Sequence, residues 1–294
     1  MVTPSFDLYV PTDLRDALKF LESNGGHTAI LARGTDLLPR IRRRLAWAPT
    51  LLDISGLDGD LRYIKRDDGI VRLGALTTVA DLLETDLLGM RLEMIRKAGE
   101  LFGDPQIRNV ATVGGNVCSA SSSEDLIPVF LALDAKVKLI SSRGERVLPL
   151  EGFIMGKRET ARKNFEILCE VFFEAPRGNC WSGFEKLGRR NILIVSLVSE
   201  ALLLTLEDDL ETIRGVKVAL NRVAGKVPAR AAKAEAFLSG RKLTPEVIRE
   251  AQDVLASELA LKGDFRASGE YRAELAKVFL KRLLLGCASR IRGG

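Results

Sequence analysis

Two adjacent glycines, Gly114 and Gly115, constrain the fold of this chain more than any other feature of its sequence. A glycine pair is costly in conformational entropy unless the backbone must turn sharply or approach a ligand closely. Thr112 and Asn116 flank the pair with side chains that bind either phosphate oxygens or their own backbone. Several serines follow, and the stretch ends at the carboxylate of Asp125.

Residues 107–123 contain few helix signals and many Gly, Ser and Asn residues, so we predict a long ordered loop. Hydroxyl and N–H groups suit a diphosphate, whereas a carboxylate suits a ribityl or ribose hydroxyl or a ring N–H. On the pattern alone, a serine-rich surface loop is an equally good interpretation.

A second glycine-bearing segment covers residues 31–38. The apolar segment 28–32 predicts a strand that leads into Gly34, Thr35 and Asp36, with a helix after them. Gly34 allows a turn with positive φ, and N–H groups at a helix start favour an anion. An ordinary strand-to-helix turn would have the same sequence. Neither segment is a G-x-G-x-x-G fingerprint or a P-loop.

The chain of 294 residues is long enough for two domains. Its pattern predicts a β-α-β beginning and a boundary near residues 175–179. The predicted strands are 28–32, 50–54, 70–75, 136–140, 166–173, 181–187 and 213–221, while 195–206 fits a strand or a helix. The first predicted helix has Thr12 as its cap and ends at residues 24–26, and the other predicted helices cover 78–88, 91–101, 229–238, 245–261 and 268–288.

Composition excludes several classes of function. The net charge is +5, and the densest basic cluster, residues 40–44, is interpreted as a solvated helix face; the alternatives are a docking patch for an acidic partner or a lid over an anionic cofactor. One histidine and four scattered cysteines argue against a zinc site or a Cys-His pair. Segment 192–206 is too short for the roughly 20 apolar residues of a membrane span. We expect no nucleic-acid partner, no membrane span, no signal peptide and a cytoplasmic location.

Five segments resemble the FAD-binding (medium) subunits of molybdenum hydroxylases, the family of xanthine dehydrogenase, carbon monoxide dehydrogenase and aldehyde oxidoreductase. The family pattern Pro-Gln-Ile-Arg-Asn-x-Ala-Thr-x-Gly-Gly-Asn matches Pro105-Gln-Ile-Arg-Asn-Val-Ala-Thr-Val-Gly-Gly-Asn116. Residues 31–38 resemble its Ala-Gly-Gly-Thr-Asp-Leu loop. The further matches are Asp125-Leu-Ile-Pro128, Phe184-Glu-Lys-Leu-Gly-Arg-Arg190 and Asp264-Phe-Arg-Ala-Ser-Gly-Glu-Tyr-Arg272.

The resemblance implies an α+β protein with two domains. Residues 1–175 would form an α/β FAD-binding domain, with subdomains of about 1–55 and 56–175. Residues 180–290 would form an α+β domain with a three-stranded sheet and a helical bundle. The implied FAD-binding residues are Leu31, Ala32, Arg33, Gly34, Thr35, Asp36, Leu37, Phe102, Ala111, Thr112, Gly114, Gly115, Asn116, Asp125, Leu168 and Lys186.

Within that set, the two glycine-bearing segments would bracket the diphosphate. Phe102, Leu168, Asp125 and Lys186 match positions near the flavin ring or its ribityl chain. Arg33 departs from the family, which usually has glycine there; it would either contact the diphosphate or point outward. Ser122 stands where the family often has proline.

The implied function is electron transfer, with FAD as cofactor and no catalytic or metal-binding residue on this chain. Electrons would come from the [2Fe–2S] clusters of a small subunit and pass to NAD⁺, oxygen, a quinone or another acceptor. A molybdopterin-binding large subunit would oxidise the substrate, and the complex would be a dimer of heterotrimers. The alternatives are a self-contained FAD-dependent oxidase or reductase and a non-redox nucleotide-binding or scaffold module.

Overall fold

The computed structural model describes residues 5–189, 195–221, 228–259 and 263–293. Its strands are β1 (Asp7–Tyr9), β2 (Thr28–Leu31), β3 (Thr50–Asp53), β4 (Ile64–Asp67), β5 (Ile70–Gly74), β6 (Lys136–Ser141), β7 (Gly144–Pro149), β8 (Ile154–Gly156), β9 (Glu159–Thr160), β10 (Ile167–Glu174), β11 (Cys180–Gly188), β12 (Ser196–Leu206), β13 (Ile213–Asn221) and β14 (Ala229–Arg230). Its α-helices are α1 (Leu14–Asn24), α2 (Leu37–Arg42), α3 (Asp58–Leu61), α4 (Val79–Glu84), α5 (Glu93–Glu100), α6 (Pro105–Arg108), α7 (Val113–Ser119), α8 (Leu126–Ala132), α9 (Leu150–Phe153), α10 (Ala232–Leu238), α11 (Pro245–Glu258) and α12 (Gly269–Gly293).

The chain begins with a small parallel sheet of order β1-β3-β2. Helices α1 and α2 make the two crossover connections, so the β-α-β beginning is confirmed. Asp13 rather than Thr12 caps α1: its side chain accepts a 2.7 Å hydrogen bond from the N–H of Asp16. The predicted strand 70–75 is β5, but it belongs to a second sheet.

That second sheet is antiparallel, with strand order β4-β5-β10-β6-β7. Its inner face packs against helices that include α7 and α8, and this hydrophobic core is the largest cluster of buried residues. The prediction of a long loop over residues 107–123 is wrong in part, because α7 occupies residues 113–119. Thr112 caps α7 by accepting a 3.0 Å hydrogen bond from the N–H of Gly115.

The third sheet has the order β11-β12-β13-β14 and is antiparallel. It has three long strands, as expected, and β14 adds a two-residue fourth, so the predicted helix 229–238 begins later, at Ala232. One face packs on α5 and α8, and the other is covered by α10 and α12. Because both faces are covered, β12 is almost continuously buried, which explains its ambiguous pattern.

Helix α11 ends at Glu258, and residues 260 and 261 of the helix predicted there lie outside the described residues. Helix α12 continues to Gly293, beyond its predicted end. Among the described helices, none combines the length and the apolar composition needed to cross a bilayer.

Candidate functional site

A cavity of about 360 Å³ lies between the first sheet and the second. The loop after β2, the beginning of α7, the β8–β9 hairpin and the start of β10 contribute to its wall. Most of the predicted cofactor residues line it: Leu31, Ala32, Arg33, Gly34, Thr35, Asp36, Leu37, Thr112, Gly114, Gly115 and Leu168. The fold therefore brings the two glycine-bearing segments, about eighty residues apart in sequence, to one cavity.

The loop between β2 and α2 presents backbone donors that are not used inside the protein. The N–H groups of residues 33–37 make no hydrogen bond to any described residue. Gly34 has φ of +77°, and a Cβ atom there would lie 2.5 Å from Cδ1 of Leu38. This loop thus needs a glycine for its shape and offers a row of free N–H groups to an anion.

The beginning of α7 differs from that loop, because the N–H groups of α7 already donate hydrogen bonds inside the protein. Those of Val113 and Gly114 donate to the carbonyl oxygens of Thr77 (2.9 Å) and Ala75 (2.8 Å). A Cβ atom on Gly114 would lie 2.7 Å from Cβ of Ala75. The first glycine of the pair is therefore required by close packing of α7 against the end of β5, rather than by a free N–H group.

Two arginines outside every motif of the sequence also line the cavity: Arg158 and Arg162, from the β8–β9 region. Arg40, from the basic cluster 40–44, lines it as well, whereas Arg42, Arg43 and Arg44 are exposed. Part of the cluster is thus a solvated surface, and part of it faces the cavity. Arg158 and Arg162 lie more than a hundred residues from the first loop in the sequence. No local spacing therefore indicates that they line the same cavity.

Arg33, the departure from the family pattern, also lines the cavity, but its guanidinium group is held by a carboxylate. Its Nη2 lies 2.6 and 2.9 Å from the two carboxylate oxygens of Asp58. Asp58 also pairs with Arg62, which pairs in turn with Asp81. The charge of Arg33 is therefore balanced by a chain of ion pairs that leads away to α3 and α4.

Five predicted residues lie outside the cavity wall: Phe102, Ala111, Asn116, Asp125 and Lys186. Phe102 packs at the edge of the main core, and Ala111 is buried, its carbonyl oxygen accepting from the N–H of Val79. Asn116 is buried and donates from Nδ2 to Oε2 of Glu124. Lys186 donates from Nζ to Asp125 at 2.6 Å, in a pair that is buried at both ends.

Burial shifts the acid–base properties of the groups behind α7. It raises the pKa of Glu124 to about 8, although the hydrogen bond from Ser119 opposes the shift. It also raises the pKa of Asp125 to about 6, against the effect of Lys186. The pKa of Cys118, which lines the cavity, rises to about 11 for the same reason, so this side chain is a neutral thiol at pH 7.

The cavity combines free backbone N–H groups with cationic and apolar side chains in an α+β fold, and comparison with known proteins shows the family. Residues 4–175 match the family described as the FAD binding domain in molybdopterin dehydrogenase, and residues 183–287 match the CO dehydrogenase flavoprotein C-terminal domain. The chain therefore belongs to the FAD-binding medium subunits of the molybdenum hydroxylase family, and it is a flavoprotein subunit of an oxidoreductase.

Relatives match over nearly their whole length. The glyceraldehyde dehydrogenase medium chain of Sulfolobus acidocaldarius is 31% identical over 95% of this chain and 96% of its own. The carbon monoxide dehydrogenase medium chain of Hydrogenophaga pseudoflava is 27% identical over 97% of each. A crystal structure of Cu,Mo-CO dehydrogenase superposes with a TM-score of 0.92 at 29% identity and covers 99% of this chain.

The cavity suits FAD on chemical grounds. Free N–H groups at residues 33–37 and cationic side chains suit a diphosphate. Apolar residues, among them Ile54, Leu76 and Leu168, suit the aromatic and aliphatic parts of the cofactor. Buried polar atoms without hydrogen-bond partners also lie nearby, on Asn116 and Asp125.

Proposed function

We propose that this chain is the flavin relay of a multi-subunit molybdenum hydroxylase. It would hold FAD, which when bound supplies one- and two-electron chemistry, between a [2Fe–2S] small subunit and a terminal acceptor such as NAD⁺, oxygen or a quinone. A molybdopterin-binding large subunit would oxidise the substrate, in a dimer of heterotrimers. Relatives named as medium chains or FAD subunits of dehydrogenases, matched over almost all of their length, support this assignment.

The observation that carries the proposal is the composition of the cavity wall. Among its described residues, Asp36 is the one carboxylate, and there is no histidine, lysine or tyrosine. Asp36 is engaged by Arg158 at 2.5 Å and by Arg40 at 3.7 Å. No side chain of this described wall is therefore free to act as a base toward an organic substrate, and Asp125, at the proposed ring end of the site, is paired with Lys186. Both observations favour electron relay over a self-contained oxidase.

We propose the following assignment of cofactor contacts. Residues 31–37 would bind the diphosphate through backbone N–H groups, and residues 111–116 would form the opposite side through close backbone approach. Leu168 would pack against the flavin ring. Phe102, Asp125 and Lys186 would lie at the ring end of the site, where the third sheet meets α8. We further propose that residues 1–175 and 180–290 are separate domains, with a division near residue 55 in the first; the matched ranges support the main division.

A spectroscopic and kinetic experiment tests the relay. The purified chain is reconstituted with FAD, and the flavin absorption band of the protein-bound fraction is recorded. The loaded chain is then mixed with the reduced [2Fe–2S] subunit encoded with it, and bleaching of the flavin is followed by stopped flow. We expect bleaching, and reoxidation by one acceptor in preference to the others. Absence of a bound flavin after reconstitution, or turnover of an organic substrate by the isolated chain, would overturn the proposal.

A further inference from the structure

The β8–β9 hairpin and the residues after it form a wall of the cavity that faces the first loop. Arg158 lies in the turn of this hairpin with φ of +66°, a conformation that residues other than glycine rarely adopt. Its N–H donates to the carbonyl oxygen of Ala120 at 2.8 Å, at the end of α7. The turn is thus tied to α7, and the position of Arg158 at the cavity is fixed by the backbone.

The guanidinium group of Arg158 is anchored through one nitrogen only. Nη1 donates to Oδ2 of Asp36 at 2.5 Å and to Oγ of Ser119 at 2.6 Å. Nε and Nη2 make no hydrogen bond to any residue that the structure describes, and they are not buried. The side chain is therefore oriented by the first loop and by α7, while two N–H-bearing nitrogens stay available to a ligand.

Arg162 carries a charge that is not balanced inside the protein. Its Nη1 donates to the carbonyl oxygens of Glu166 (2.9 Å) and Lys163 (3.0 Å), which hold the side chain in place. Within the described part of the chain, no carboxylate lies within ion-pair distance of it. Neutral carbonyls orient this guanidinium group but do not compensate its charge.

The charged side chains around the cavity have a net excess of two positive charges. Arg33 is balanced through Asp58, and the remaining lining arginines, Arg40, Arg158 and Arg162, face Asp36 as the one lining carboxylate among the described residues. A phosphoanhydride that joins two esters carries two negative charges at neutral pH. An uncompensated pair of positive charges beside a row of free N–H groups is therefore matched by such a diphosphate.

We propose that Arg158 and Arg162 are diphosphate ligands that close the cofactor site opposite residues 33–37. This inference rests on the proposed function and assigns to these arginines the selection of FAD over flavins without a diphosphate. Riboflavin carries no phosphate and would leave both guanidinium groups unmatched. FMN carries about the same charge as the diphosphate, but on a single terminal phosphate, whereas FAD offers two phosphoryl groups, one for each arginine. The preference for the dinucleotide thus comes from the β8–β9 region as well as from the two glycine-bearing segments.

Flavin titrations of single-site variants test this assignment. Arg158→Gln and Arg162→Gln remove the charge and retain most of the side-chain length. Lys157→Gln is the matched control, because Lys157 is exposed in the same turn and does not line the cavity. The apoprotein of each variant is titrated with FAD, FMN and riboflavin, and binding is followed by flavin fluorescence at two salt concentrations.

We expect each arginine variant to lose about tenfold or more in FAD affinity, since charge-assisted hydrogen bonds of about 1.5–3 kcal/mol correspond to factors of that size. Riboflavin affinity should change less than about twofold, and the control should behave as the wild type does. FAD binding by the wild type should weaken with salt more steeply than binding by a variant that carries both Arg158→Gln and Arg162→Gln. Circular dichroism verifies folding, and Arg158→Lys, which keeps the charge but has one nitrogen, should retain more of the affinity than Arg158→Gln does.

Two negative results have different meanings. If the wild type binds FAD and the arginine variants bind it as tightly as Lys157→Gln does, the arginine assignment is wrong while the relay proposal stands. Equal losses for FAD and riboflavin would likewise overturn the assignment, because they would indicate a structural role for the side chains. If the wild type binds no flavin, the proposed function itself is wrong.

Discussion

Nζ of Lys186 lies 2.6 Å from Oδ2 of Asp125, in an ion pair that joins the third sheet to the start of α8. Lys186 also donates to the carbonyl oxygen of Leu101 at 2.9 Å, and its side chain has no solvent exposure. Asn221, on the same face of that sheet, donates to the carbonyl oxygen of Glu124 at 3.0 Å. Polar contacts thus fix the third sheet against the segment that follows α7, behind the cavity.

Lys186→Met should destabilise the protein strongly, because it leaves the carboxylate of Asp125 buried without its partner. The expected loss is about 3–5 kcal/mol, measured by urea unfolding at pH 7. Lys217→Met is the control, since Lys217 pairs with Asp134 on the surface and should lose less than about 1 kcal/mol. Adding Asp125→Asn to Lys186→Met should restore part of the loss. Equal losses for the two lysine variants would contradict this interpretation of the buried pair.

Stability should fall as the pH rises from 6 to 8, and Glu124 should account for part of that fall. The pKa of Glu124 in the folded protein is raised from the ordinary 4.5 to about 8, mainly by burial. Between these values the unfolded chain has released the proton and the folded chain keeps it, so rising pH favours unfolding. The slope from this group is at most about 1.4 kcal/mol per pH unit.

Glu124→Gln isolates this effect, because other carboxyl groups contribute with the same sign. Burial raises the pKa of Glu200 as well, and it raises the pKa of Asp125 to about 6. Urea unfolding of both proteins at pH 6, 7 and 8 therefore gives the contribution of Glu124 by difference. The stability of Glu124→Gln relative to wild type should increase with pH. A difference that stays constant over this range would show that Glu124 does not keep its proton in the folded state.

Local pattern was sufficient for about half of the described strands and for most of the second half of the fold. Alternation and apolar runs indicated β5, β6, β10, β11 and β13 to within a few residues. Helix α7 was missed because its two glycines and its serine are poor helix formers, and its first N–H groups are satisfied by Ala75 and Thr77, far away in sequence. Tertiary hydrogen bonds outweighed local propensity at this site.

The cavity could be predicted only in part. The glycine-bearing segments have a recognisable pattern, and residues 31–37 line one cavity together with Thr112, Gly114 and Gly115, while their contact with the cofactor stays a prediction. Arg158 meets Asp36 across 122 residues, and the pairing depends on where the β8–β9 hairpin packs. The sequence spacing around a single arginine in a hairpin turn does not predict its partner. The same holds for the ion pair between Arg33 and Asp58. Such charges become visible only when the fold is known.

Gly114→Ala should reduce both stability and FAD affinity, whereas Gly152→Ala should change neither much. A Cβ atom on Gly114 would lie 2.7 Å from Cβ and 2.8 Å from the carbonyl oxygen of Ala75, and nothing lies within 4 Å of a Cβ on Gly152. Overpacking of this kind costs about 1–3 kcal/mol and would push α7 away from β5. Urea unfolding and FAD titration of both variants measure the two effects. An alanine tolerated at residue 114 would show that the close packing is not needed.

Arg33→Ala should leave FAD affinity within about threefold of wild type, because the guanidinium group of Arg33 is already bound by Asp58 at 2.6 Å. The free N–H groups of residues 33–37 do not depend on that side chain. Stability should fall modestly, and a double-mutant cycle with Asp58→Asn should give a coupling of about 0.5–1 kcal/mol, as for a partly exposed pair. The cycle is needed because Asp58 also pairs with Arg62.

FAD titration and urea unfolding of the four proteins in this cycle distinguish the two roles that the sequence allowed for Arg33. A coupling energy with unchanged FAD affinity means that the arginine supports the loop from outside while its backbone faces the cofactor. A tenfold loss of FAD affinity in Arg33→Ala, with no coupling to Asp58, would mean that the side chain leaves Asp58 to bind the diphosphate. In that case the positive charge at the cavity would exceed the negative charge of the diphosphate. The flavin titrations of the Arg158 and Arg162 variants would then be repeated in the Arg33→Ala background.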